Sequence, residues 1–229
     1  MLDVVVPVLN RPQNAQPLVD SIQEATKVPF TITFMCSPGD LEEQAACIGT
    51  SANVHTVDWE PGAGDASRKW NLGYTLGSNP FVLLAADDLE FEPGWDVAVL
   101  KQADRSGAGV IGTNDQSNPL VIRGKHSTHP VVRRTYIDTV GGTFTEGAGI
   151  VYYEGYDHQA VDNELYEAAV GRNEWSFAMT SVVRHMHPIY PHRGRNRTPM
   201  DDTYRRGMSE GQADIKLFKS RLEQWNLNK

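Results

Sequence analysis

The chain has 229 residues, 40% hydrophobic and 22% charged, with a formal net charge of −8. That balance supports the core of one large folded domain and excludes a chain too polar to collapse. The acidic excess excludes a protein that grips nucleic acid over its whole surface, although a local basic patch is compatible with it.

Met1-Leu2-Asp3 runs straight into Val4-Val5-Val6 without a basic segment or a small-residue cleavage site. No apolar run approaches the length of a membrane span, so no membrane insertion and a cytoplasmic location are expected. Cys36 and Cys47 lack the paired spacing of a zinc or redox motif, which predicts free, partly buried thiols.

Leu2 to Val8 is a β-branched run of the kind buried on both faces of a parallel sheet, closed by the loop Pro7-Val8-Leu9-Asn10-Arg11-Pro12. Leu18, Ile22 and Ala25 recur at helical spacing, with Pro17 in a first turn. Phe30 to Cys36 and Val54 to Val57 predict the next strands, closed by Ser37-Pro38-Gly39-Asp40 and Pro61-Gly62-Ala63-Gly64. A helix from about Ala66 to Leu76 follows, then a buried strand, Phe81 to Ala86, that runs into Asp87-Asp88; Trp95, Val99 and Ala103 mark another helix. Such alternation predicts an open parallel sheet whose ligands bind outside the carboxyl ends of its strands. Beyond Gly109 the pattern is less regular. It predicts short strands near Val110-Ile111 and Leu120–Ile122, a Gly141-Gly142 turn, an acidic helix from about Asp162 to Val170, and a strand near Met179–Arg184. A basic stretch from His185 to Arg206 leads to a closing helix with Ile215, Phe218, Leu222 and Trp225 as its apolar stripe.

Asp87-Asp88 carries the clearest chemistry. Two adjacent carboxylates at a strand end repel one another, so a positive partner is expected, and a hard divalent cation bridging phosphate oxygens is the natural candidate. An acid pair alone is more often an Asp capping a turn beside a solvated neighbour.

Context decides between them. Val4-Val5-Val6-Pro7-Val8-Leu9-Asn10-Arg11-Pro12, Arg68-Lys69-Trp70-Asn71-Leu72-Gly73, Leu83-Leu84-Ala85-Ala86-Asp87-Asp88 and Pro93-Gly94-Trp95, in that order and spacing, resemble glycosyltransferase family 2 of the GT-A fold. The resemblance covers about residues 2–190, most closely 2–100. It implies an α/β, Rossmann-like, mostly parallel sheet flanked by helices: a GT-A domain over 1–190, with a nucleotide half (1–105) and an acceptor half (106–190). Residues 191–229 would be a basic loop and a C-terminal helix packed on the same domain.

By the same resemblance, Pro7, Val8, Leu9 and Arg11 match the loop that holds the nucleotide base, Asp40 a carboxylate on base or ribose, and Arg68, Lys69 and Asn71 the segment facing the diphosphate. Asp87-Asp88 matches the acidic metal motif, with Asp87 on the donor and Asp88 the direct ligand of Mn2+ or Mg2+. His187, with His185 as alternative, matches a histidine ligand. Asp162-Asn163-Glu164-Leu165 matches the second acidic motif, making Asp162 the general base; without the match, Asp162 is a helix cap and Glu164 a solvated first-turn acid. Ala86 and Ser37-Pro38-Gly39-Asp40 depart from the commonest pattern, so uridine is only the family default.

The implied function is inverting, metal-dependent transfer of a sugar from a UDP-linked donor to an acceptor hydroxyl. The acceptor classes are a protein, a small molecule or a modified DNA base, as for small soluble members of bacteria and their phages, in which case the location is the host cytoplasm. Two rivals stand beside it: a nucleotidyltransferase, whose usual Gly-rich loop is missing from Pro7–Pro12, and a non-catalytic sugar-nucleotide or glycan-binding module. His192, Arg193, Arg195, Arg197, Arg205 and Arg206 predict either a solvated loop or a cationic lid over the diphosphate.

Overall fold

Along strand β1 (Leu2–Pro7) alternate side chains enter two different cores. Leu2, Val4 and Val6 join one apolar cluster and Val5 the other, which is the arrangement of a strand with helices on both faces. The computed structural model describes residues 1–190 and 199–228. After β1 come a 3-10 turn (Pro12–Asn14), α1 (Ala15–Ala25), β2 (Phe30–Cys36), α2 (Leu41–Ile48), β3 (Asn53–Thr56), α3 (Asp65–Leu76), β4 (Phe81–Leu84) and β5 (Leu89–Phe91). The second half contains α4 (Trp95–Ser106), β6 (Val110–Asn114), α5 (Pro119–Ile122), β7 (Val131–Arg133), α6 (Arg134–Val140), α7 (Val161–Gly171), β8 (Trp175–His185) and α8 (Asp202–Leu227).

The strand order is β3-β2-β1-β4-β7-β6-β8-β5. β3, β2, β1 and β4 are parallel neighbours, β6 and β8 are parallel, and β7 and β5 run antiparallel to their neighbours. This is the predicted class, a mostly parallel sheet flanked by helices.

Several elements depart from the sequence reading. Leu120–Ile122, expected as a strand, lies in the short helix α5, because Asn118 accepts the Leu120 N–H at 2.9 Å and Pro119 occupies the first turn. α2, β5, β7 and α6 were not anticipated. They are short, and β7 borrows its order from β4 and β6 on either side. Of the predicted apolar stripe on the closing helix, Phe218, Leu222 and Trp225 are half-buried on its inward edge, Phe218 packing beside Leu217 against the core, whereas Ile215 is 37% exposed. Cys36 and Cys47 are free and buried, as expected.

Helix α8 is pinned by polar contacts from end to end. Asp214 accepts the backbone N–H groups of Asp157, His158 and Gln159 at 2.7–2.9 Å, and Arg221 reaches Glu164 and Glu146. Trp225 stacks on Phe144 at 4.7 Å. These contacts hold the first turn of α8 over the carboxyl edge of the sheet.

Candidate active site

The loops after β1 and β4 leave the sheet side by side, because β1 pairs with β4. Arg11 from the first loop therefore meets Asp87 and Asp88 from the second. Its Nε lies 3.1 Å from Asp87 and its Nη1 3.7 Å from Asp88. Asn14 donates to Asp87 at 3.0 Å, and the Tyr204 hydroxyl of α8 donates to Asp88 Oδ2 at 2.8 Å. The Tyr204 ring is covered by the Arg11 guanidinium at 4.4 Å and meets the His187 ring at 4.6 Å.

The two acids differ in their surroundings. Burial pushes Asp87 up to about 7 despite the pull of Arg11. Burial acts the same way on Asp88, but His185, with Nε2 at 3.4 Å, and Arg11 outweigh it and hold Asp88 well below the usual carboxylate range. Burial lowers His129 and His187, each to about 4; it also opposes the charged form of His185, which Asp88 nevertheless raises above its ordinary value. Among the described residues, Asp88 Oδ1, His185 Nδ1 and His129 Nε2 are buried without a hydrogen-bond partner. Among the described residues no group of three His, Cys, Asp or Glu side chains is arranged to hold a metal ion.

A cavity of about 300 Å³ extends from this acid pair. Arg11, Asp88, His185 and His187 line it together with His126, Asp162 and Asn163, and Tyr204 and Gly207 of α8 complete the wall. A smaller pocket of about 90 Å³ adjoins it through Arg11, His158, Thr203 and Gly207, and is lined by Pro7, Val8, Leu9 and Lys69. The larger hollow of about 520 Å³ beside Gly109, Arg133 and Arg172 holds none of the predicted residues.

Asp162 sits in the first turn of α7, but the residue that caps this helix is Ala160, in the left-handed region at φ 67°. Asp162 is therefore not the N-cap. Its Oδ1 accepts the Asn163 N–H at 2.9 Å and its Oδ2 lies 2.9 Å from His126 Nε2. Burial would raise Asp162; His126 outweighs it and lowers the carboxyl, while Asp162 in turn raises His126 against the burial of the imidazole. Glu164 is not a solvated acid: at 1% exposed it accepts from Phe144 N, the Tyr156 hydroxyl and Arg221.

Other predicted residues are not brought to the large cavity. Lys69 is fully buried, donating to Val8 O at 2.9 Å and Ser37 Oγ at 2.7 Å and pairing with Asp65 at 2.8 Å, so its ammonium forms the floor beneath the first loop. Asn71 donates to Tyr152 O and Glu154 and accepts from Val151 N and Tyr152 N, tying the segment before α7 to α3. Arg68 stacks on Trp59 at 5.0 Å. Asp40 is the N-cap of α2, accepting from Glu43 N at 3.3 Å and from Asn10 N at 2.6 Å, and so braces the first loop from behind. His192, Arg193, Arg195 and Arg197 lie outside the described residues. Arg205 pairs with Asp202 on the surface at 2.6 Å.

Sequence reasoning missed His126, His129 and Tyr204. All three are isolated in the chain and acquire meaning only through what the fold places opposite them. A histidine within a Gly-Lys-His-Ser turn and a tyrosine between an aspartate pair and an arginine pair carry no local signal of a site.

No family model matches the sequence, and no curated protein compared with it matches in sequence. Solved structures do match the fold. Glucosyl-3-phosphoglycerate synthase from Mycobacterium tuberculosis, in complex with Mn2+, UDP-glucose and phosphoglyceric acid, aligns with a TM-score of 0.61 at 15% identity, over 97% of this chain and 80% of that one. The mannosyltransferase PcManGT from Pyrobaculum calidifontis, in complex with GDP-mannose and Mn2+, gives 0.60 at 13% identity over 84% of this chain and 58% of that one. TarS from S. aureus gives 0.57 at 14% identity over 80% and 59%. This chain thus spans less than two thirds of the latter two. The architecture is the GT-A fold of glycosyltransferases.

Proposed function

We propose that this GT-A chain is a glycosyltransferase that moves a sugar from a nucleotide-linked donor, UDP-linked by preference, to an acceptor hydroxyl, with inversion. The observation that carries the reading is one cavity lined by Arg11, Asp88 and Asp162 together. The carboxyl edge of parallel strands is where such folds bind nucleotides. The nucleotide half is residues 1–105, with Pro7, Val8, Leu9 and Arg11 around the base and diphosphate and Lys69 supporting them from below.

A divalent cation, Mn2+ or Mg2+, fits the acid end. Such an ion takes one or two protein ligands and completes its shell with phosphate oxygens and water, so a cage of three side chains is not required. Asp88 would hold it through the buried oxygen that lacks a partner. His185, whose Nδ1 also lacks one, is favoured over His187 as its companion. When bound, the cation offsets charge gathering on the leaving diphosphate. The solved neighbours that hold Mn2+ with a nucleotide sugar support this.

Asp162 lines the same cavity with its side chain 19% exposed, while Glu164 is held by Arg221. Asp162 accepts the proton of the attacking hydroxyl. Arg11 holds the donor side in place, and α8 limits the entry of water. The test is thermal stability: UDP should raise the Tm much more with Mn2+ than with chelator, because a ligand bound only by the native state stabilises it by mass action. Equal shifts in both conditions would remove the cation from the reading.

A further inference from the structure

We infer that His126 is the positioning residue for Asp162: its Nε2–H holds the carboxylate facing the cavity, and its charge sets how strongly Asp162 draws the acceptor's proton. This rests on the proposed glycosyl transfer with Asp162 as base. The geometry is specific. His126 Nε2 lies 2.9 Å from Asp162 Oδ2 across 36 residues of chain, and both side chains line the cavity. They are 5% and 19% exposed, so little water screens the pair. A carboxylate at this distance selects the tautomer with the proton on Nε2, so the neutral ring still donates and still orients.

In the reaction the acceptor O–H bond breaks and its oxygen forms the bond to the anomeric carbon. The bond from that carbon to the diphosphate oxygen breaks, its electron pair leaving with the diphosphate, and the proton goes to Asp162. An imidazolium at 2.9 Å opposes that last transfer, because it stabilises the anion. A neutral imidazole does not. The other groups facing His126 are Asp115, Glu167 and the ring edge of Tyr166 at 5.8 Å. His129, Tyr152, His185 and Tyr190 also act on Asp162 electrostatically. With two further acids turned toward it, His126 carries its proton above the ordinary imidazole range, so turnover should rise with pH through a midpoint on the alkaline side of that range.

The experiment follows UDP release from UDP-glucose with MnCl2, water serving as acceptor, across the neutral and alkaline range. Wild type should show the rise. His126→Gln retains an amide N–H but cannot titrate, so it should stay active and lose the pH step. His126→Ala should fall by up to about a hundredfold in kcat, the cost of a misplaced reacting group, with the KM for UDP-glucose unchanged. In parallel, the His126 ring is titrated by NMR, its signal identified by its loss in His126→Gln. In Asp162→Asn the midpoint should drop by about one to three pH units. An alanine variant with wild-type rate and the wild-type pH step overturns the inference and leaves Asp162 as base. Wild-type turnover by Asp162→Asn overturns the underlying reading. If UDP-glucose is not turned over or the alanine variant does not fold, the NMR arm decides, and an unchanged His126 midpoint in Asp162→Asn rejects the pairing.

Discussion

Asp87-Asp88 and Asp162-Asn163-Glu164 look alike as acidic motifs, yet the fold treats them in opposite ways. The first pair is buried as a unit, charge-paired by Arg11 and His185 and hydrogen-bonded by Asn14 and Tyr204. The second is split. Two residues apart on α7, Asp162 faces the cavity and a histidine, while Glu164 turns into the interior and is locked by Arg221. The difference teaches that the placement of the neighbouring cation, rather than the density of carboxylates, separates an acid available for chemistry from one used to hold the structure.

The sharpest way to break this comparison is Asp162→Asn, which keeps shape and hydrogen bonding but removes basicity. Transfer should fall by roughly two to four orders of magnitude, with calorimetric affinity for UDP nearly unchanged. A variant that transfers at the wild-type rate would return Asp162 to a structural role.

Next in size is the structural acid. Arg221→Ala leaves Glu164 buried with only Phe144 N and the Tyr156 hydroxyl as partners, and should cost about 3 kcal/mol, read as a lower urea midpoint. The nucleotide end lies elsewhere, so the Mn2+-dependent Tm shift with UDP should persist. Loss of that shift would show that α8 couples the two ends.

The smallest effect is one of pH on stability. His126 is raised above its ordinary 6.5, so its contribution is complete below that value and is lost as pH rises through the folded value. Asp162 is lowered from 3.8, so its contribution is complete above that value and is lost as pH falls through the folded one. The pair thus stabilises the fold most between these two ordinary values. The Tm gap between wild type and His126→Gln should be widest there and narrow in alkaline buffer; a gap independent of pH means that the two groups do not share charge.

Legibility in the sequence followed the same division. The first hundred residues announced themselves, because β1 and β4 are largely apolar, β2 alternates apolar residues with Thr31 and Thr33, and each ends at a loop rich in Pro, Gly or Asp. The acid pair could be placed at a strand end from that pattern alone. The rest of the chain could not be read so directly: β7 has three residues, α5 four, and α7 is capped by an alanine in a conformation that alanine seldom adopts. Asp40 and Asn71 brace the loops around them, a role that the sequence does not display. Polar residues beside a site serve as readily to brace its walls as to touch a ligand, and their partners, backbone groups of Asn10 and of Val151 and Tyr152, are invisible in one dimension.

The contacts of α8 also set an order of events in folding. Tyr204 reaches back 116 residues to Asp88, and Thr203 reaches 194 residues to Leu9. A ribosome delivers β1 to β4 long before it delivers either partner. Contacts so distant in sequence form late, since the chain between them must be ordered first. A nascent chain would therefore own the carboxyl edge of β1 and β4 before it owned a cavity, with Asp88 still open to water, and only the arrival of the last helix would turn a strand edge into an enclosed chamber.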